Sequence, residues 1–173
     1  FGGNPDACQK VEQCLLDLKI MVDSIEGEHD SIIDALARLR YRVQPALDRL
    51  GIEMSWNMQE SGALASLPRS TVLQLLRIAQ EALSNVVRHA GASSVEVDLD
   101  ERAGGVVLRV ADDGRGFDPR AAGAEAHFGL VGMRERAAQI GAKISLASAP
   151  GRGAVVEVLV PRRVVRRRSW SRP

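Results

Sequence analysis

The chain has 173 residues, 45% of them hydrophobic, with 23 Lys and Arg against 22 Asp and Glu and a net charge of +1. That length suits one domain with a substantial core plus one appended element, and is tight for two independent domains. The balanced charge gives no global argument for nucleic acid as a partner, and no apolar stretch approaches the length that spans a bilayer. Cys8 and Cys14 match neither Cys-x-x-Cys nor a zinc spacing, so they read as reduced thiols of a cytoplasmic protein.

Val11, Leu15, Leu18, Val22 and Ile25 recur at intervals of three and four and predict a helix over 8–25 with one apolar stripe. Gly27 breaks it. Asp30 or Ser31 then caps a second helix running to Leu50, with Gly51 as its stop and Pro45 expected to bend or shorten it. Ile52, Met54, Trp56 and Met58 alternate with polar residues, the period of a strand buried on one face. A loop is expected over 61–66, and Pro68 suits the first turn of a long helix reaching His89.

Val95, Val97 and Leu99 mark the next strand, and a turn at Gly104-Gly105 joins it to an antiparallel strand from Val106 to Ala111. Residues 114–132 hold five glycines with little periodicity and read as a long mobile loop, a kind of segment that is usually functional in a compact domain. A helix from Leu130 to Ile140 follows. Strands 142–147 and 154–160 close the pattern around Pro150-Gly151. Hairpin-linked strands with interspersed helices predict an α+β fold, a two-layer sandwich of helices on a mixed, mostly antiparallel sheet. The Arg-rich end, 162–173, reads as a solvated, disordered tail.

Two segments carry chemistry. On the long helix, Glu81, Asn85, Arg88 and His89 fall within roughly a 100° sector, opposite the apolar Leu75, Ala79, Leu83, Val86 and Ala90. Asparagine is a poor helix former, so Asn85 in that position suggests a side-chain task. Asp112-Asp113-Gly114-Arg115-Gly116-Phe117 puts two carboxylates where a strand ends and a glycine loop begins. A carboxylate there can accept from a nucleobase amine while glycine lets a ligand approach, although the same letters also spell an ordinary Asp-Gly turn.

The order Gln80-Glu81-Ala82-Leu83-Ser84-Asn85-Val86-Val87-Arg88-His89, then Asp112 to Phe117, then Phe128-Gly129-Leu130-Val131-Gly132-Met133-Arg134-Glu135-Arg136, then Gly151-Arg152-Gly153 resembles the ATP-binding domain of two-component sensor histidine kinases. This places it in the gyrase, Hsp90, histidine kinase and MutL superfamily, whose ATP-binding fold is of the Bergerat type. The resemblance covers about residues 50–161 and looks most like the NarL/DesK-like subfamily that drives LuxR-type response regulators.

By this resemblance residues 1–27 are the end of a dimerisation and phosphotransfer helix, and 28–161 the catalytic domain. Asp112 would accept the adenine amine, and Gly114 and Gly116 would let the loop close over the nucleotide. Asn85 would ligate Mg²⁺, while Arg88 and His89 would contact phosphate or nucleoside. Gly129, Leu130, Gly132 and Met133 would form a second glycine box, with free backbone N–H groups at a helix start for phosphate. Glu81 would polarise or orient in a kinase and activate water in a hydrolase.

The family usually has threonine where this chain has Ala154. The subfamily's acceptor histidine, in an Arg-x-x-Leu-His-Asp type sequence, has no counterpart among His29, His89 and His127. The resemblance therefore implies a fragment that binds ATP without phosphorylating itself. It also implies a homodimeric parent that is cytoplasmic or the cytoplasmic part of a membrane-anchored sensor, with no nucleic acid as partner. An ATP hydrolase or switch of the same superfamily, and a serine kinase that binds a sigma factor, are the alternative readings.

Overall fold

The computed structural model describes residues 31–118 and 124–165, without the side chains of 124–128. The helix predicted over 8–25, both cysteines and His29 lie outside the described residues. Helix α1 spans Ile32–Leu50. Ser31 caps it reciprocally: its Oγ accepts from the Asp34 N–H at 3.2 Å, and its own N–H donates to Asp34 Oδ2 at 3.3 Å. Gly51 ends it in the left-handed region at φ 70°. Pro45 does not shorten the helix, which runs through it to Leu50. It lies on the exposed side with Tyr41, 83% exposed, so water can satisfy the carbonyl that the proline ring leaves without an N–H.

Strand β1, Glu53–Met58, shows the expected alternation, with every second side chain half-buried. Where a loop was expected, Ser61 caps a single helical turn, α2, Gly62–Ala65, which buries Leu64. Helix α3 covers Arg69–Asn85, and its last turn widens into a π-helical segment, Val86–Ala90. Strands β2, Ser94–Arg102, and β3, Gly105–Asp112, follow, then helix α4, Ala124–Gln139. Strands β4, Lys143–Ser148, and β5, Ala154–Pro161, precede a last turn, α5, Arg162–Val165.

The five strands form one sheet in the order β1-β2-β3-β5-β4. β1 runs parallel to β2, and every other pairing is antiparallel. The α+β architecture is therefore the one expected. Helices cover one face, where Val95, Val97 and Leu99 of β2, Val106, Leu108 and Val110 of β3 and Val156, Val158 and Val160 of β5 pack with Leu75, Ile78, Leu83 and Met133. Each such side chain, when fully buried, contributes about 1.5–3 kcal/mol.

The opposite face carries a polar cluster on β1, β2 and β3. Arg109 Nη1 lies 3.0 Å from both Glu96 Oε2 and Asp98 Oδ2, and Asn57 Nδ2 donates to Glu96 and Asp98 at 3.0 and 2.9 Å. Burial works against the Arg109 charge, yet the Glu96 and Asp98 carboxylates outweigh it and raise the guanidinium above its ordinary value.

Two boundaries differ from expectation. α4 begins at Ala124, where a mobile loop to 132 was predicted, because Ala124-Glu125-Ala126 are strong helix formers that carry the helix through two glycines. The Arg-rich end was expected to be tail from 162. Val165 instead packs into the core, 7% exposed, so Arg162–Val165 belongs to the fold.

Candidate functional site

Asp112 is the last residue of β3, a central strand, and faces the helices in register with Val106, Leu108 and Val110. Across the sheet it pairs with Val95 on one side and Ala154 on the other, and Ala154 pairs in turn with Ser148. The inner face of the sheet therefore ends in a row of Val95, Asp112, Ala154 and Ser148. Asp112 is the one carboxylate of that row. Its Oδ1 accepts from the Gly114 N–H at 2.9 Å. Burial pushes the carboxyl above the ordinary carboxylate range, against the pull of the Gly114 and Ala154 N–H groups, and the adjacent Asp113 charge adds to the rise.

Asp113 has a different task. Its Oδ1 accepts from the N–H groups of Ser93 and Ser94, both at 2.8 Å. The Ser94 N–H is the main cause holding its carboxyl below the ordinary range, despite slight burial, and the Ser93 N–H adds to it. Asp113 thus ties the end of β3 to the start of β2, and leaves Asp112 as the half-buried acceptor.

The loop after Asp112 is fastened by main-chain atoms. Arg115 N–H donates to the Ala90 carbonyl at 2.8 Å, Gly153 N–H to the Gly114 carbonyl at 2.8 Å, and Gly151 N–H to the Arg115 carbonyl at 2.6 Å. Gly114 is needed because a Cβ there would fall on the Ala90 carbonyl oxygen. Through Ala90 the loop meets the π-helical end of α3.

The other site residues divide. Glu81 and Asn85 are half-buried, one turn apart on α3, and both face Gly129 of α4. A Cβ on Gly129 would stand 2.5 Å from Glu81 Oε1 and 3.8 Å from Asn85 Nδ2. Arg88 and His89 are exposed on the π-helical segment, with Arg88 Nη2 donating to Ser84 Oγ at 2.5 Å. That segment has more residues per turn, so the even 100° step that grouped them with Glu81 and Asn85 does not continue past Asn85.

Gly129 and Gly132 lie inside α4 and not ahead of it, so the expected helix start with free N–H groups is not at these glycines. Leu130 and Met133 are core residues, 8% and 1% exposed, with side chains engaged in packing. Gly116 takes a left-handed φ of 58° against Ala149.

Sequence reasoning missed Ser148. Its Oγ accepts from the Phe117 N–H at 2.9 Å and donates to the Gly153 carbonyl at 2.8 Å. The available signal was parity: in β4 the inward positions are Ile144, Leu146 and Ser148, and the last is polar. Among the described residues no three His, Cys, Asp or Glu side chains gather as a metal cluster, and no helix is long and apolar enough to cross a membrane.

Residues 71–164, more than half of the chain, match the family described as histidine kinase-, DNA gyrase B-, and HSP90-like ATPase. The chain is 33% identical over 156 residues to the sensor histidine kinase LiaS of Bacillus subtilis, covering 90% of this chain and 40% of that protein. It is 39% identical over 97 residues to the sensor protein VraS of Staphylococcus saprophyticus, covering 55% of this chain and 27% of that protein. It therefore spans no more than about two fifths of these relatives. In fold it is similar to the histidine kinase domain of a blue-light activated histidine kinase from Erythrobacter litoralis. That match has a TM-score of 0.58 and 19% identity, over 92% of this chain and 76% of that one. On the family match, which contains most of α3, the Asp112 loop and the β4–β5 hairpin, the chain belongs to the histidine kinase-, gyrase B- and HSP90-like ATPase family.

Proposed function

We propose that this chain is the ATP-binding catalytic part of a sensor histidine kinase that passes the γ-phosphoryl of ATP to a histidine on a dimerisation helix. From there the phosphoryl goes to a response regulator of LuxR type, within a homodimeric parent protein. The observation that carries the reading is Asp112: a half-buried carboxylate at the end of a central strand, with the Gly114 N–H on one oxygen and Gly114 and Gly153 packed against it and its neighbours.

Asp112 accepts the exocyclic amine of adenine, which a base with a carbonyl at that position cannot offer. Gly114 and Gly116 keep the loop backbone close to the base. Glu81 and Asn85 supply hard oxygen donors side by side on α3, a set that fits Mg²⁺, with Asn85 as the proposed ligand. When bound, the ion neutralises phosphate charge during transfer. Glu81 orients or polarises beside it. Arg88 and His89, exposed at the end of α3, would meet phosphate or ribose, and Gly129 brings the backbone of α4 against Glu81, with Leu130, Gly132 and Met133 continuing the second glycine box along that helix.

Calorimetric titration of Mg-ATP into wild type, Asp112→Asn and Asn85→Ala tests the reading. Asp112→Asn is expected to weaken binding by at least tenfold, the loss of one charge-assisted bond. Asn85→Ala is expected to weaken Mg-ATP more than metal-free ATP. Tight binding that neither substitution alters would remove the site.

A further inference from the structure

Ser148 lies outside every residue assigned above, yet its hydroxyl joins the loop after Asp112 to the strand beside it. The Phe117 N–H donates to Ser148 Oγ at 2.9 Å, and the Ser148 O–H donates to the Gly153 carbonyl at 2.8 Å. The Gly153 carbonyl and the Ala154 N–H belong to one peptide plane; Ala154 pairs with Asp112 across β3 and β5, and its N–H pulls the Asp112 carboxyl down against the effect of burial. Phe117 N–H, Ser148 O–H and the Gly153–Ala154 peptide are therefore hydrogen-bonded in series, and that peptide pairs with Asp112. Each link polarises the next, because a carbonyl that accepts a hydrogen bond makes the N–H of its own peptide a better donor.

We infer that Ser148 is a positioning residue for base selection. It orients and polarises the Gly153–Ala154 peptide that holds Asp112, and so couples the setting of the loop at Phe117 to the carboxylate. The inference rests on the reading of Asp112 as the adenine acceptor. It also gives a physical account of Ala154, where the family usually has threonine: the hydroxyl at this corner of the sheet comes from Ser148, the cross-strand partner of Ala154. The backbone N–H of residue 154, which any non-proline residue supplies, is all that Asp112 requires of that position.

The test compares Ser148→Thr with Ser148→Val, two side chains of nearly equal shape that differ in the hydroxyl and suit a strand end. The readout is the ratio of Kd for Mg-ITP to Kd for Mg-ATP in the full chain, since inosine lacks the amine. Ser148→Thr is expected to keep the wild-type ratio and Ser148→Val to reduce it about two- to fourfold, the effect of losing a relay link that strengthens its neighbour by about 10–30%. If Ser148→Val weakens both nucleotides equally, or neither, the positioning role is overturned.

A second measurement needs no substitution. In wild type, amide exchange at Phe117 and Ala154 should slow together on adding Mg-ATP, and slowing at one alone would equally overturn the coupling. Failure of the underlying reading looks different: wild type would not discriminate ATP from ITP, and Asp112→Asn would leave both affinities unchanged. Discrimination that Asp112→Asn abolishes but Ser148→Val preserves removes the Ser148 role and leaves the site.

Discussion

Gly151 and Gly153 form a matched pair for testing how the hairpin between β4 and β5 builds the site. Both sit in the left-handed region, at φ 75° and 64°, so alanine at either carries the same backbone cost of about 1–2 kcal/mol. They differ in space. A Cβ on Gly151 meets nothing within 4 Å, whereas one on Gly153 would fall on the Asp112 carbonyl oxygen and 3.1 Å from Asp113 Cα. Those atoms are main chain fixed in the sheet and cannot step aside as a flexible side chain would.

Gly153→Ala must therefore open the end of the β3–β5 pairing, losing the Asp112–Ala154 contact and the bond from Gly153 N–H to the Gly114 carbonyl. At about 1 kcal/mol net for each bond, added to the backbone cost, the loss comes to about 3–4 kcal/mol. That is a large share of the 5–15 kcal/mol typical of a folded domain. Urea titration followed by circular dichroism gives both values. Gly151→Ala should lower the unfolding free energy by about 1–2 kcal/mol with no change in m, and Gly153→Ala by at least 2 kcal/mol more. Equal losses would refute the claim that contact between these two backbones sets the geometry around Asp112.

Asp113→Ala removes the tie between β3 and the start of β2. Because Asp113 is exposed and water competes for its bonds, the expected loss is about 1 kcal/mol, or roughly 2–4 °C in a thermal melt. The folded value of Asp113 is lowered, so its contribution is present above the ordinary aspartate range and disappears as pH falls through the folded value; the Asp113→Ala difference should vanish in acid.

Asp112 has the opposite sign. Its folded value is raised, so the protein gains stability from it below the ordinary aspartate range and loses that gain as pH rises through the folded value. Mg-ATP binding should accordingly weaken on acidification at a pH above the ordinary aspartate range, and Asp112→Asn should lack that step in a pH series of titrations. Gly129→Ala sets two effects against each other. Alanine favours a helix interior by about 1 kcal/mol, while its Cβ displaces only the flexible end of Glu81. Melting should stay equal or rise, and a fall of more than about 1 kcal/mol would show that Glu81 cannot move.

What could be read from the sequence was local or periodic. Ser31 and Gly51 bound α1 because caps act within one turn, and Met54, Trp56 and Met58 alternate because a strand half-buried in a sheet leaves that mark. Asp112 at the end of β3 followed from the apolar run before it. Features set by distant backbone contacts were not legible. The parallel pairing of β1 with β2 depends on the crossover through α3, and the π-helical widening at Val86–Ala90 has no signature in a 3.6-residue period. That α1 keeps its full length through Pro45 turns on which side of the helix the proline occupies. The start of α4 was hidden by glycines that suggested a loop, and Ser148 by a hydroxyl whose partners are 31 and 5 residues away.

The fastening of the Asp112 loop by main-chain atoms has an evolutionary consequence. Arg115 and Arg152 point their exposed side chains away from bonds that their own backbones complete, so the lock does not read which residues they are. Mutational drift at such positions can change the exposed rim beside Asp112 without disturbing the frame that holds it. Glycine at 114 and 153 is the fixed cost of that freedom, because a Cβ at either would fall on a carbonyl oxygen.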